Sequence, residues 1–311
     1  MVLRRFLLCL ALYCFGAGHP ANAAEPTLVL VSSETSAAYV ELADTMVADL
    51  ERGGAARDTV RRMTVAEFED GERSAPRLFV ALGVRAATAL AQSDERTPVL
   101  CTLLPRTSFE RIVQESGRKA SSQFSAIYLD QPLSRQLELV RQLLPQARRV
   151  GVLWGDASIT QQGALEAAAT SRGLRVVAAR VGSGEALFPA LQKVLDDADV
   201  LLALADPQIY HGGSIQNILL SSVRVRVPMV AFSPAYVKAG ALAAVYATPT
   251  QIGHQAATLA RAVLQGRGLP GAPQYSREFE ISVNLPVAHA LALSVDASAV
   301  LARLRMLERA P

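Results

Sequence analysis

Short, unbroken apolar runs alternate with longer amphipathic stretches along nearly the whole chain. The first run is Leu28-Val29-Leu30-Val31, preceded by Thr27. Positions 36–50 follow it, where Tyr39, Leu42, Ala43, Met46 and Leu50 recur at helical spacing on one face. A weaker strand is expected near 59–63, a clear one at 78–82, an Ala-rich helix at 84–91 and another strand at 99–102. Half-exposed strands would alternate polar and apolar residues. Continuous runs spaced by helices are instead the pattern of parallel strands covered on both faces.

The rhythm repeats after 131. Leu133, Leu137, Val140 and Leu144 mark a helix that Pro145 stops. Strands are predicted at 150–154, 174–178, 199–204, 228–232 and 242–246, with helices at 161–171, 186–195, 215–223 and 250–265 between and after them. Gly173 closes the first of these helices. A last strand at 279–284 precedes two short helices. The two blocks meet at 128–131 without a Pro/Gly/Ser-rich tether. This predicts an α/β protein made of two doubly wound parallel-sheet lobes joined by a hinge.

The start of the chain breaks the pattern. Arg4 and Arg5 stand before an apolar run at 6–15, then come Gly16, Gly18 and Pro20, and small residues at 21–24 close the segment. That order is the one found in secretory signal peptides, so 1–24 is read as a cleavable leader. The run is shorter than the ~20 residues that span a bilayer. Cys9 and Cys14 fall inside the leader, and the bulky Tyr13 before Cys14 argues against a lipid anchor. Cys101 is then the single cysteine of the exported chain, with no disulfide framework, and it reads as a small buried hydrophobe. Without Arg4 and Arg5 the 31 basic residues come close to balancing the 28 acidic ones. Nothing in that balance points to nucleic acid.

Catalytic and cofactor motifs are missing. Gly182-Ser183-Gly184 resembles half a dinucleotide turn, but Leu187 stands where the third glycine belongs. His211, His254 and His289 have no acids or cysteines at metal-ligand spacing. What remains is a set of residues just after the strands, where open parallel sheets bind ligands. In the first block these are Ser32, Ser33, Thr35, Gly83 and Thr102. In the second they are Trp154, Gly155, Asp206, Ser233, Tyr236 and Tyr246. Each Ser, Thr or Asp of such a set also suits plain helix capping, and Trp154 suits either a core or a ligand platform.

Several stretches of the second half belong together: Leu144-Pro145-Gln146-Ala147 leading into Val150-Gly151-Val152-Leu153-Trp154, then Ala198-Asp199-Val200-Leu201, and Val227-Pro228-Met229-Val230-Ala231-Phe232-Ser233. Lys238-Ala239-Gly240-Ala241-Leu242, Gln251-Ile252-Gly253 and Val283-Asn284 continue them. In this order and spacing the chain resembles the ABC-transporter substrate-binding family, whose better-known members bind tryptophan and similar amino acids. The resemblance implies a type I periplasmic-binding-protein fold, in which the chain crosses between lobes three times. Crossings near Leu129, Tyr246 and Asn284 would give a first lobe of 25–129 plus 247–283 and a second of 130–246 plus 284–311. It implies a monomeric, cofactor-free, non-catalytic periplasmic protein. Such a protein would clamp a small polar ligand, an amino acid among the options, and present it to a membrane ABC permease, or in the same fold to a sensory receptor. Two positions depart from the family: Gln123-Phe124-Ser125-Ala126 stands where an Asn-x-Thr-Gly turn is common, and Pro207 follows Asp206 where a polar residue is frequent.

Overall fold

The computed structural model describes residues 27–56, 59–71, 75–94, 96–182 and 186–309. The leader assigned to 1–24 lies outside them. The first lobe opens with β1 (Leu28–Ser32), α1 (Ala37–Arg52), β2 (Val60–Thr64), α2 (Val65–Asp70), β3 (Leu78–Leu82), α3 (Val84–Gln92), β4 (Val99–Leu104), α4 (Arg106–Ser116) and β5 (Phe124–Tyr128). The second continues with α5 (Leu133–Leu143), β6 (Arg149–Trp154), α6 (Gln162–Thr170), β7 (Arg175–Arg180), α7 (Leu187–Asp197), β8 (Val200–Leu202), α8 (Ile215–Arg224), β9 (Met229–Ala231), α9 (Pro234–Ala239) and β10 (Ala243–Tyr246). The chain returns to the first lobe with α10 (Pro249–Leu264) and β11 (Gln274–Tyr275). It ends in the second with β12 (Glu280–Val283), α11 (Leu285–Ala290) and α12 (Ala297–Arg309).

Among the described residues the strands form two six-stranded sheets, ordered β11-β5-β4-β3-β1-β2 and β12-β10-β9-β8-β6-β7. All neighbours pair in parallel except β12, which runs antiparallel to β10. The apolar runs are buried on both faces because each sheet is sandwiched between helices. In the first lobe Leu28, Leu30, Leu78 and Val80 face α1 and α10. Val29, Val31, Phe79 and Ala81 face α3 and α4. In the second, Val152 and Trp154 face α5, α6 and α12, while Leu153, Leu201 and Ala203 face α7 and α8. Alternation along each strand thus serves two cores instead of one core and water.

Helix boundaries follow local chemistry. Thr64 and Glu67 form a reciprocal capping box on α2, and Thr248 and Gln251 another on α10. Pro249 occupies the first helical turn of α10, where its missing N–H costs nothing.

One sequence expectation is overturned here. The resemblance implies that the strand near 279–284 belongs to the first lobe up to 283, with the third crossing near Asn284. β12 instead pairs with β10, Tyr246 opposite Glu280 and Ala243 opposite Val283, so the third crossing precedes it at 276–279. Asn284 caps α11, its Oδ1 accepting from the Val287 N–H at 3.1 Å. The unread partner was β11, a two-residue strand beside β5 that holds the chain in the first lobe until Tyr275.

Candidate ligand-binding cleft

The crossings define where the two sheets meet. The first leaves the carboxyl end of β5 and enters α5. The second leaves the carboxyl end of β10 and enters α10. The third leaves the carboxyl end of β11 and enters β12 opposite Tyr246, again at the carboxyl end of β10. Every hinge segment therefore ties carboxyl edge to carboxyl edge, and the two rows of strand ends converge at the hinge. The crossings are clamped. Arg106 N–H donates to Asp130 Oδ1 at 2.7 Å, and Gln251 of α10 reaches Glu280 of β12 at 3.0 Å. Arg135, buried, grips Glu308, donates to the Ser276 carbonyl at 3.2 Å and lies 3.9 Å over the Phe279 ring.

At the first-lobe edge, Ser33 follows β1. Its hydroxyl donates to the Leu82 carbonyl at 2.7 Å and accepts from the Ala86 N–H at 2.9 Å, stitching β1 to the start of α3. Between them Gly83 adopts φ 85°, and a Cβ there would stand 2.4 Å from the Tyr39 hydroxyl and 2.8 Å from Ser33 Oγ. Only glycine fits that backbone and that space. The Gly83 N–H donates to the Thr102 carbonyl at 2.8 Å, and the fully buried Thr102 hydroxyl points at the Ala81 carbonyl at 3.3 Å. The next residue, Leu103, takes a left-handed φ of 54°, and the β4–β5 register slips between Cys101 and Leu104. A left-handed leucine is costly enough to mark a locally over-determined site. Burial, then the Glu34 charge, raises the Tyr39 hydroxyl pKa. Ser32 is half-buried at the strand end and Thr35 is exposed beyond it.

The second-lobe edge is organised around Asp206, which is buried. Its Oδ2 accepts from the Ser158 N–H and its Oδ1 from the Gln208 N–H, both at 3.0 Å. Gly155 N–H donates to Ser158 Oγ at 3.1 Å. Asp206, read from sequence as a ligand contact, thus spends its oxygens on the two loops. Trp154 is also corrected: it is 2 % exposed inside the second-lobe core, and among the described residues its indole Nε1 has no hydrogen-bond partner. Being last in a strand of a doubly covered sheet did not expose it. Ser233 caps α9 by accepting from the Ala235 N–H at 3.2 Å.

Next to it stands an aromatic group the sequence had only partly singled out. Phe232 packs edge-on against Tyr236 at 4.9 Å and against Tyr210 at 6.2 Å, and the Tyr236 hydroxyl donates to the Tyr210 carbonyl at 3.2 Å. Phe232, Tyr236 and Tyr246 are half-buried. Tyr210 is buried with its hydroxyl unpartnered, and desolvation raises its pKa. Tyr246 meets Ser282 Oγ at 3.1 Å beside the second crossing. The sequence pattern marks Phe232 only as strand and Tyr39 only as helix core. Phe232 directly follows β9, which is the signal that would have found it; Tyr39 lies in the first turn of α1, seven residues past β1, and reaches the edge only through the fold.

Among the described residues no group of three or more His, Cys, Asp or Glu is placed to hold a metal ion, and no helix is long and apolar enough to cross a membrane. Cys101 is fully buried in the first-lobe core, and burial pushes its thiol pKa far up. It is unreactive as placed.

The family model for ABC transporter substrate binding proteins matches residues 62–303. A tyrosine-binding protein of Clostridioides difficile is 23 % identical over 229 residues, covering 69 % of this chain, and this chain spans 62 % of that relative's length. A substrate binding protein with adhesive properties from Clostridium difficile, in its ligand-free open structure, superposes with a TM-score of 0.68 at 18 % identity, over 87 % of this chain and 96 % of the other. A domain from Streptococcus pneumonia in complex with L-Trp gives 0.60 at 18 % identity, over 88 % and 98 %. At such identities these structures speak for the fold, which they share with this chain across both lobes. By family match and by architecture, this chain belongs to the ABC transporter substrate-binding proteins and has their two-lobed, type I periplasmic-binding-protein-like fold.

Proposed function

We propose that this chain captures an amino acid with an aromatic or large apolar side chain between its two carboxyl edges and delivers it to a membrane ABC permease. The observation that carries this reading is the placement of all three crossings. They tie the polar edge at Ser33, Gly83 and Tyr39 to the aromatic edge at Phe232, Tyr236 and Tyr246. The hydroxyls of half-buried Tyr39 and exposed Thr35 on one lobe suit an amino acid's charged groups. Half-buried rings on the other suit its side chain. The tyrosine-binding relative and the L-Trp complex support the same ligand class.

A ligand that touches both lobes favours the closed arrangement by its differential affinity, and closure gives a permease something to recognise. The protein acts as a monomer, without cofactor or catalysis, in the periplasm after removal of its leader. Of the sequence-derived contacts, Ser32, Ser33, Thr35, Gly83, Tyr236 and Tyr246 remain candidates at the edges.

A thermal-shift and calorimetry panel of amino acids, polyamines, nucleosides and small acids tests the reading. Tyrosine, tryptophan or phenylalanine should raise the melting temperature, since ligand at a hundred times its Kd stabilises by about 2.7 kcal/mol. A response confined to polyamines or nucleosides would sink it.

A further inference from the structure

We infer that the second lobe carries a separate site for a phosphate-class oxyanion, at the opposite end of the sheet from the candidate cleft. Arg141, Arg148 and Arg172 line an open concavity of about 370 Å³ together with Pro145 and Leu174. It lies where β6 and β7 begin and where α5 and α6 end, and Arg141 and Pro145 extend it into a second groove that reaches Arg303 of α12. Arg175 adjoins it through its N–H, which donates to the Arg148 carbonyl at 2.8 Å. Strands of six residues put roughly 20 Å between this amino edge and the carboxyl edge.

Two of these guanidinium groups are held in place by one nitrogen each. Arg148 Nη1 donates to the carbonyls of Pro145 at 2.9 Å and Ala147 at 3.0 Å. Arg172 Nη1 donates to the Ala168 carbonyl at 2.9 Å and Ser171 Oγ at 3.2 Å. Among the described residues the other nitrogens of each fork make no hydrogen bond, the buried Arg172 Nε included. Arg141 and Arg175 are exposed and make no ion pair among the described residues. Among the described residues the carboxylate paired with these guanidinium groups is Glu138, 3.8 Å from Arg172 Nε, while Asp199 accepts the Arg148 backbone N–H at 2.8 Å. The neighbouring Arg149 is already taken by Asp199 and Asp197.

Helix ends account for part of this charge but not all of it. The carboxyl termini of α5 and α6 each supply only about half a negative charge. With Glu138 they leave the four arginines in clear excess. Arginine forks match the geometry of a tetrahedral oxyanion, and the absence of any aromatic lining leaves nothing to hold a nucleobase. The chemistry recognised is a phosphate group, either free or as the phosphodiester of an anionic lipid headgroup.

The test uses the intact protein at low ionic strength. Inorganic phosphate is titrated against matched sodium chloride, and co-sedimentation is measured on phosphatidylglycerol vesicles against phosphatidylcholine vesicles. The reversal variant Arg141→Glu/Arg175→Glu, at two exposed positions without ion pairs, should weaken the binding arm at least tenfold, whereas Arg141→Lys should retain most of it. Amino-acid binding in the cleft should be unchanged, so this site and the cleft fail independently. Phosphate-specific stabilisation without vesicle binding assigns a free anion, and vesicle binding assigns the headgroup. Equal effects of phosphate and chloride with no vesicle binding, or binding indifferent to the reversal, overturn the proposal.

Discussion

Asp206 presses its carboxylate against the bare Cα of Gly155: a methyl group there would stand 2.5 Å from Asp206 Oδ2. The carboxylate has nowhere to retreat, because each oxygen already accepts a backbone N–H. Gly155→Ala should therefore lower the denaturation midpoint. Asp206→Ala should cost about 2 kcal/mol or more by leaving buried N–H groups unpaired. In calorimetry, ligand affinity per folded molecule should stay near wild type for Asp206→Ala. A large affinity loss with unchanged stability would return Asp206 to the ligand.

Trp154 is the single tryptophan of the chain, which makes its burial readable by fluorescence. Its emission should be blue-shifted, resist acrylamide quenching and barely change on ligand addition. Trp154→Phe removes an N–H that has no partner, so its stability should lie within about 1 kcal/mol of wild type. Trp154→Ala should cost about 3–5 kcal/mol through the cavity it leaves.

Asp130, at the first crossing, carries a pH signature. Burial pushes its carboxyl up to about 6, although the Arg106 N–H works in the opposite direction. In the unfolded chain an aspartate titrates near 3.9. Between about pH 4 and 6 the folded state holds the proton more tightly, so stability falls as pH rises and levels off above the folded value. Denaturation midpoints at pH 4, 5, 6 and 7 should show this trend in wild type. In Asp130→Asn the trend should be reduced. Parallel curves for the two proteins would count against it.

Gly83 tests the first-lobe edge. Gly83→Ala places a side chain on a backbone with φ 85° and against the Tyr39 hydroxyl. It should cost about 1 kcal/mol or more in stability, and it should weaken ligand binding because the Ser33–Ala86 stitch must shift. Tyr39→Phe relieves the crowding only slightly. The double variant therefore distinguishes steric strain from a lost hydroxyl contact.

Much of the architecture was legible because parallel strands buried on two sides leave unbroken apolar runs, as in 78–82 and 150–154. What escaped was set by partners distant in sequence. α4 buries only Thr107, Phe109 and Ile112 amid charged residues, a stripe too thin to stand out. β11 is a strand only because β5 lies beside it, and missing it misplaced the third crossing. The candidate site was legible as a set of strand ends. The sorting of its members was not: Ser33 and Asp206 look alike in sequence, and only the hydrogen bonds reveal how much of each is already committed.

The return of α10 to the first lobe also has a kinetic consequence. The His254–Asp49 contact at 2.7 Å joins residues 205 positions apart, and the face of α1 bearing Leu42 and Met46 is covered by Ile252, Ala256 and Ala260. A ribosome must therefore finish almost the entire second lobe before the first can close. Loops of that span are entropically costly to form, and topologies built on them fold slowly. Completion of the first lobe therefore waits on a helix made near the end of synthesis.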